Sequence, residues 1–309
     1  MEYNEHNPVL LDACIQALQV RSGGVYVDGT LGRAGHSREI ARKLTTGRLI
    51  CIDRDDAAIE AAKERLAPWM DRVTLAHSNF SQLGEVLGDR EDVDGMLFDL
   101  GVSSPQLDDP ARGFSYQKDA PLDMRMDRSG PLMAREVVNA WSLEELRRIL
   151  YEYGEERYAP AIARAIVKTR ETRPIETTLE LVDVIKSAMP PAALREKQHP
   201  AKRSFQAIRI AVNGELEALP PMLEAAVDKL RPGGRLAVIT FHSLEDRIVK
   251  RTLRELARGC TCPPEFPVCV CGKKPRVRLE KPVTPSAAEV EANPRARSAR
   301  LRVAEKLAP

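Results

Sequence analysis

The strongest constraint on this chain is a rhythm of short apolar segments, each ending in an acid and each followed by a helical stretch. Gly24-Val-Tyr-Val-Asp28 reads as a short buried strand that runs into the turn Gly29-Thr-Leu-Gly32-Arg-Ala-Gly35 and then a helix over about 36–44. Arg48-Leu-Ile-Cys-Ile-Asp53 is a second strand, and the apolar spacing over 56–66 predicts an amphipathic helix. Strands at 72–76 and 93–100 continue the pattern. Strands alternating with helices at this spacing specify βαβ units, hence a parallel, doubly wound α/β sheet of Rossmann-like type.

The rhythm breaks after Leu107. A polar Asp- and Arg-rich stretch runs to about Gly130, and helical signals dominate to about residue 203. Ser142-x-x-Glu145 and Thr177-x-x-Glu180 are capping boxes ahead of apolar helical patterns. The strand–helix pattern resumes at Phe205-Gln-Ala-Ile-Arg-Ile, followed by a helix to about Leu230, the breaker Arg231-Pro-Gly-Gly234 and a strand over 235–241. The organisation expected is a core in two parts, 1–107 and 204–309, interrupted by a helical insertion over 108–203 that serves substrate recognition. The chain's 309 residues, 43% of them hydrophobic, suffice for such a core. The acidic start and the absence of an apolar run of about 20 residues argue against a secretory signal and a membrane span, so a cytoplasmic location is expected.

The glycine turn lacks the G-x-G-x-x-G spacing of dinucleotide-binding folds. It also begins with Asp28, an anion where a pyrophosphate would have to sit, which counts against a dehydrogenase. Acids at three strand ends, Asp28, Asp53 and Asp99, suit a donor that carries cations, and S-adenosylmethionine has both an ammonium and a sulfonium. Asp53, roughly 20 residues beyond the turn, is placed to bind ribose hydroxyls.

Asp99-Leu-Gly-Val-Ser-Ser-Pro-Gln106 leaves the fourth strand as a short polar segment containing proline. Methyltransferases that act on exocyclic amines carry such a segment at this point. The N4 lone pair of cytosine is delocalised into the ring, and an acceptor for the amino hydrogens localises it while positioning aligns the reacting atoms. Asp99, Ser103, Ser104 or a backbone carbonyl could serve; Ser103-Ser104-Pro105 is otherwise a simple turn. No cysteine near Asp99 in the sequence offers itself as a nucleophile for carbon-5 chemistry.

Several longer motifs carry a resemblance: His6-Asn-Pro-Val-Leu-Leu-Asp12, Asp28 to Ser37, Asp99 to Asp108, Arg112-Gly-Phe-Ser-Tyr116, Pro121-Leu-Asp-Met-Arg-Met-Asp127, Phe205 to Ile210, Phe241-His-Ser-Leu-Glu-Asp-Arg247 and Asn293-Pro-Arg-Ala-Arg-Ser298. Through them the chain resembles, nearly end to end, the RsmH (MraW) family, which makes N4-methylcytidine in the decoding region of 16S ribosomal RNA. The resemblance implies a methyltransferase using S-adenosyl-L-methionine. It places donor contacts on Ala34, Gly35, His36, Asp53, Phe80, Asp99 and Gln106, with Ala34 standing where many relatives have glycine. The partner implied is 16S ribosomal RNA within a small-subunit particle; a homodimer is left open. Arg112, Phe114 and Tyr116 either stack an extruded base or anchor the insertion. Asp123, Arg125 and Asp127 also fall near the site, with no role assigned. Other readings are a DNA or other RNA amino-methyltransferase, or a non-catalytic RNA-binding module, which would need no donor pocket.

Ten Lys/Arg against four Glu from Lys273 onward form either a phosphate-neutralising surface or a solvated basic edge. Cys14 and Cys51 sit in apolar patterns and read as core. Cys260-x-Cys262 and Cys269-x-Cys271 could close a structural zinc shell, although one intervening residue is fewer than zinc knuckles usually have; the other reading is a free-thiol loop. No metal is assigned to the reaction.

Overall fold

The computed structural model describes residues 8–260, 262, 263, 268 and 270–308. Among the described residues seven strands form one sheet: β1 (Val25–Asp28), β2 (Arg48–Asp53), β3 (Val73–His77), β4 (Val93–Asp99), β5 (Leu230–Thr240), β6 (Val277–Leu279) and β7 (Arg300–Lys306), in the order β3-β2-β1-β4-β5-β7-β6. The first five pair in parallel, and β7 runs antiparallel to both β5 and β6. The parallel, doubly wound α/β core expected from the strand–helix rhythm is therefore present. Because β2 and β4 flank β1 on opposite sides, the connections diverge at the carboxyl ends of β1 and β4, the crevice where open α/β sheets bind ligands.

The chain divides into two compact units, Met1–Gly101 with Leu216–Pro309, and Val102–Glu215. The first holds the sheet. Its apolar side chains, among them Leu18, Tyr26, Ile40, Leu49, Leu97 and Ile239, form one core, in which Cys14 and Cys51 are fully buried. The second unit is helical and has its own core from Phe114, Leu122, Val137, Leu146, Ile149, Ile162, Leu181, Phe205 and neighbours.

These limits differ from the sequence-based division at 107/108 and 203/204. Residues 205–213 are not a returning strand: Lys202–Asn213 is a helix, and its buried face of Phe205, Ala207 and Ile208 belongs to the helical core. Short apolar runs with isoleucine and valine suit either state, and here the three- to four-residue spacing of the buried positions prevails. The sheet unit resumes with helix Leu219–Lys229. The breaker at 231–234 lies inside β5 as a register irregularity: Val93 pairs with Leu230, but Gly95 pairs with Arg235.

β6 and β7 have no counterpart in the sequence reading. The charges of β7 hide its alternation, and partners distant in sequence satisfy them. Asp246 takes Arg300 and a two-point contact from Arg302, while Glu305 takes Arg235 and Arg278. Arg276 likewise pairs with Glu224 and Asp228. Four of the ten basic side chains from Lys273 onward, those of Arg276, Arg278, Arg300 and Arg302, are thus engaged in ion pairs of the fold.

Both capping boxes form as expected. The Ser142 N–H donates to Glu145 and the Glu145 N–H to the Ser142 hydroxyl, and Thr177 with Glu180 repeats the exchange. Ser142→Ala and Thr177→Ala should each lower stability by about 1 kcal/mol. The two caps open separate helices, so urea denaturation of the double variant should show roughly the sum. Losses near zero would mean that packing alone holds these helix starts.

Candidate active site

The turn after β1 is hydrogen-bonded to both neighbouring strands. Gly29 N–H donates to the Leu97 carbonyl of β4, and Leu31 N–H to the Ile52 carbonyl of β2. The Thr30 hydroxyl oxygen accepts from Asp99 N–H at 2.6 Å. Gly32 N–H donates to Asp53 Oδ2 at 2.7 Å, while Asp55 N–H donates to Oδ1 at 2.9 Å. The turn is thereby fixed over the carboxyl ends of β1, β2 and β4.

Helix Gly35–Lys43 starts inside this frame. A Cβ on Gly35 would stand 2.3 Å from Pro8 Cγ, so only glycine lets the helix start this close to the N-terminal segment. Ala34 adopts φ 57°, a left-handed conformation that costs an L-residue roughly 1–2 kcal/mol. The alanine therefore imposes backbone strain besides adding a methyl group. His6 and Asn7 of the N-terminal motif lie outside the described residues.

The three strand-end acids have different environments. Asp28 is only 1% exposed and accepts hydrogen bonds from the Ser37 hydroxyl (2.6 Å) and Thr30 N–H (3.1 Å). Burial pushes its carboxyl up to about 6 against these bonds, and Asp53 adds to the rise. It holds the turn and contributes a field. Burial also raises Asp53, opposed by the Asp55 and Gly32 N–H groups. Asp99 is the extreme case. Its Oδ1 is enclosed without a hydrogen-bond partner among the described residues, and its carboxyl is pushed up to about 8 by burial and then by the charges of Asp28 and Glu245. Asp94, on the same strand, makes the contrast. Burial raises it too, but Arg231, the Val25 N–H and Arg21 outweigh that and hold it below the usual carboxylate range.

His36 faces Asp99 with Nδ1 3.9 Å from Oδ2. Its Nε2 lies 3.1 Å from the Val9 carbonyl, which can only accept, so Nε2 carries the proton. Burial lowers the imidazole to about 4 despite that bond, so the ring is neutral and Nδ1 is an acceptor. His36, on which the resemblance places a donor contact, is buried. Phe80 opens a short helix, and its ring meets Phe98 of β4 edge-on, centroids 6.2 Å apart.

Ala34, Gly35, His36, Asp53, Phe80 and Asp99 all belong to the sheet unit, whereas Ser103, Ser104 and Gln106 belong to the helical unit. There Gln106 Oε1 accepts from the Ser103 N–H at 2.9 Å and closes the start of helix Ser104–Asp108.

Two residues of the site were not singled out from the sequence. His242 and Glu245 lie just beyond β5; Glu245 is buried, accepts from Phe241 N–H at 2.8 Å, and adds to the field on Asp99. His242 Nε2 is 3.0 Å from Glu245 Oε1. The motif Phe241 to Arg247 was the available signal. A cysteine also lies within the field of Asp99: Cys14, whose thiol is raised well above its usual range by burial and then by Asp99. A thiol held protonated in the core is no nucleophile.

The alternative that Arg112, Phe114 and Tyr116 anchor the insertion fits the helical unit. Arg112 is buried and donates to the Arg125 and Met126 carbonyls, each at 2.9 Å. Phe114 lies in the helical core, and Tyr116 stacks on His199 at 4.5 Å. Asp123 and Arg125 form a two-point ion pair within their own loop, and Asp127 accepts from Ser129.

The family model described as the MraW methylase family matches residues 3–307. Among curated relatives, the Brevibacillus brevis protein named "Ribosomal RNA small subunit methyltransferase H" is 57% identical over 307 residues, 98% of each chain. The protein of that name from Paenibacillus sp. (strain JDR-2) is 56% identical over 98% of this chain and 99% of its own. That from Symbiobacterium thermophilum is 58% identical over 98% and 96%.

The raised carboxyl of Asp99 has a measurable consequence without any ligand. Between an unfolded value of about 4 and the folded value of about 8, the native state keeps a proton that the unfolded chain has released. Stability contributed by this group therefore falls as pH rises through that window. Asp99→Asn removes the effect, so the variant should melt above the parent at pH 8 and converge with it towards pH 4. A melting difference that does not change with pH would contradict the assigned environment.

Proposed function

Because the chain belongs to the MraW methylase family, we propose that it methylates the exocyclic N4 of one cytidine in the decoding region of 16S ribosomal RNA. The chain is an S-adenosyl-L-methionine-dependent methyltransferase of small-subunit ribosomal RNA. Its proposed substrate is a small-subunit particle.

The observation that carries it is the enclosed Oδ1 of Asp99, without a hydrogen-bond partner among the described residues, at the end of β4, where the chain enters Ser103-Ser104-Pro105-Gln106. A buried acceptor with nothing to accept from fits a ligand that brings hydrogen-bond donors or positive charge. Asp53, fixed by two N–H groups and retaining acceptor capacity, fits ribose hydroxyls. The residues present thus suit the donor: Ala34, Gly35, His36, Asp53, Phe80 and Asp99 would hold it, and Gln106 joins them on the family resemblance. Bound, S-adenosyl-L-methionine supplies an electrophilic methyl group on a sulfonium.

The chain's own residues do the rest. Neutral His36 places no opposing positive charge beside a cationic donor. Asp99, protonated near neutrality when alone, loses its proton when a cation lies nearby, because an opposite charge favours the carboxylate. It then offers an acceptor to the amino hydrogens of a cytosine and draws the N4 lone pair out of the ring, with Ser103 and Ser104 as further acceptors in the same polar segment.

Two experiments test this reading. Asp53→Ala should weaken S-adenosyl-L-methionine binding about ten- to hundredfold by calorimetry, the loss of a hydrogen bond to a charged group; unchanged affinity in a folded variant removes Asp53 from the site. Nucleoside mass spectrometry of ribosomal RNA from cells with and without the protein should find N4-methylcytidine only in its presence. A methyl group on carbon 5 or on a ribose 2′-oxygen would overturn the N4 assignment, and modification of DNA instead would favour the alternative amino-methyltransferase.

A further inference from the structure

Helix Ser243–Ala257 is followed by a stretch with no helix or strand among its described residues until β6 begins at Val277. Its two ends are joined: Arg276 N–H donates to the Leu256 carbonyl at 2.8 Å, and the Arg276 side chain pairs with Glu224 and Asp228. Connections of more than about 12–15 residues without helix or strand are uncommon in compact domains and usually serve a function. Among the described residues of this one, Val268 and Val270 are 69% and 74% exposed, so neither packs into a core.

Three thiols meet within the loop. The sulfurs of Cys260, Cys262 and Cys271 all lie within 4.8 Å of one another, and Cys271 Sγ is 3.8 Å from Cys260 Sγ. They are not disulfide-bonded. A disulfide would bring two sulfurs to about 2.05 Å. Two thiolates on one tetrahedral zinc, each about 2.3 Å from the metal, stand roughly 3.8 Å apart. Backbone donors also point at the sulfurs, Cys262 N–H at Cys260 Sγ and Val270 N–H at Cys262 Sγ, both at 3.4 Å. Such N–H groups stabilise negative sulfur and orient metal ligands. Gly272, directly after Cys271, takes φ 63°, a turn glycine makes without steric cost. Cys269 lies outside the described residues.

We propose that Cys260, Cys262 and Cys271 bind one zinc ion whose role is to order the loop between helix Ser243–Ala257 and β6. Each coordinating thiol releases its proton to solvent and becomes a thiolate ligand; no oxidant or reductant is involved. The site is separate from the strand-end acids in its chemistry, since soft sulfur ligands select zinc over the hard cations that carboxylates prefer.

The test uses the full-length protein purified without chelator or added metal. Elemental analysis should find about one zinc per chain, and a mercurial thiol reagent should release it. Cobalt(II) in place of zinc should give the sulfur-to-metal charge-transfer and strong visible bands of tetrahedral thiolate coordination. The Cys260→Ser, Cys262→Ser, Cys271→Ser triple variant should keep its far-ultraviolet circular dichroism, lose the metal and become cleavable by protease between residues 258 and 276. Metal-free protein that takes up neither zinc nor cobalt would overturn the proposal. So would stoichiometric zinc in the triple variant, or a native disulfide between any two of the three cysteines.

Discussion

Burial of carboxyl groups at the carboxyl edge of a parallel sheet is the constraint on which the rest of the sheet unit turns. Ionised carboxylates are costly to remove from water unless donors or cations meet them. The fold meets that cost unequally. At the carboxyl edge Asp28 has a hydroxyl and an N–H and Asp53 has two N–H groups, while Asp94, near the opposite end of β4, has two guanidinium groups and an N–H. Asp99 is left with an enclosed oxygen and two acids contributing to its field. What the fold withholds from Asp99 is what, under the proposed function, a cationic donor and an amino group would bring.

The surrounding structure maintains that inequality. The Thr30 hydroxyl holds the backbone of Asp99, not its carboxyl, and the Val9 carbonyl takes the imidazole proton of His36. Arg21 and Arg231 are committed to Asp94, near the start of β4, five residues before Asp99. In the helical unit, polar groups are spent on structure: Arg112 ties a loop to itself, Asp123 holds Arg125, and two capping boxes start helices. Side chains that look chemical in a motif can thus be occupied in holding a backbone.

Legibility in the sequence followed the range of the interactions. Strands β1 to β4 and their helices were readable because hydrophobic period and glycine turns act over a few residues, and the boxes at Ser142 and Thr177 are contained in four. The segment 205–213 was misread because a short isoleucine-rich run suits either strand or helix, and only the helical core around Phe205 and Ile208 decides. β7 escaped notice because its arginines are compensated by Asp246, more than fifty residues away in the chain. Glu245 and His242 escaped because β5 alone brings them to the carboxyl edge beside β4.

By itself the sequence determined the alternation that makes a parallel sheet, the acids that end its strands, the interruption by a helical insertion and the motifs of the family. Only the tertiary structure decided what those acids are. Asp28, Asp53 and Asp99 are the same residue type at equivalent strand ends, yet one holds a turn, one is held by two loop N–H groups, and one carries a raised carboxyl whose Oδ1 has no partner among the described residues. The reason is that the proton affinity of a carboxyl group depends on desolvation and on the charges and donors packed around it. For Asp99 these include Asp28 and Glu245, residues 71 and 146 positions away, and no local pattern records that packing.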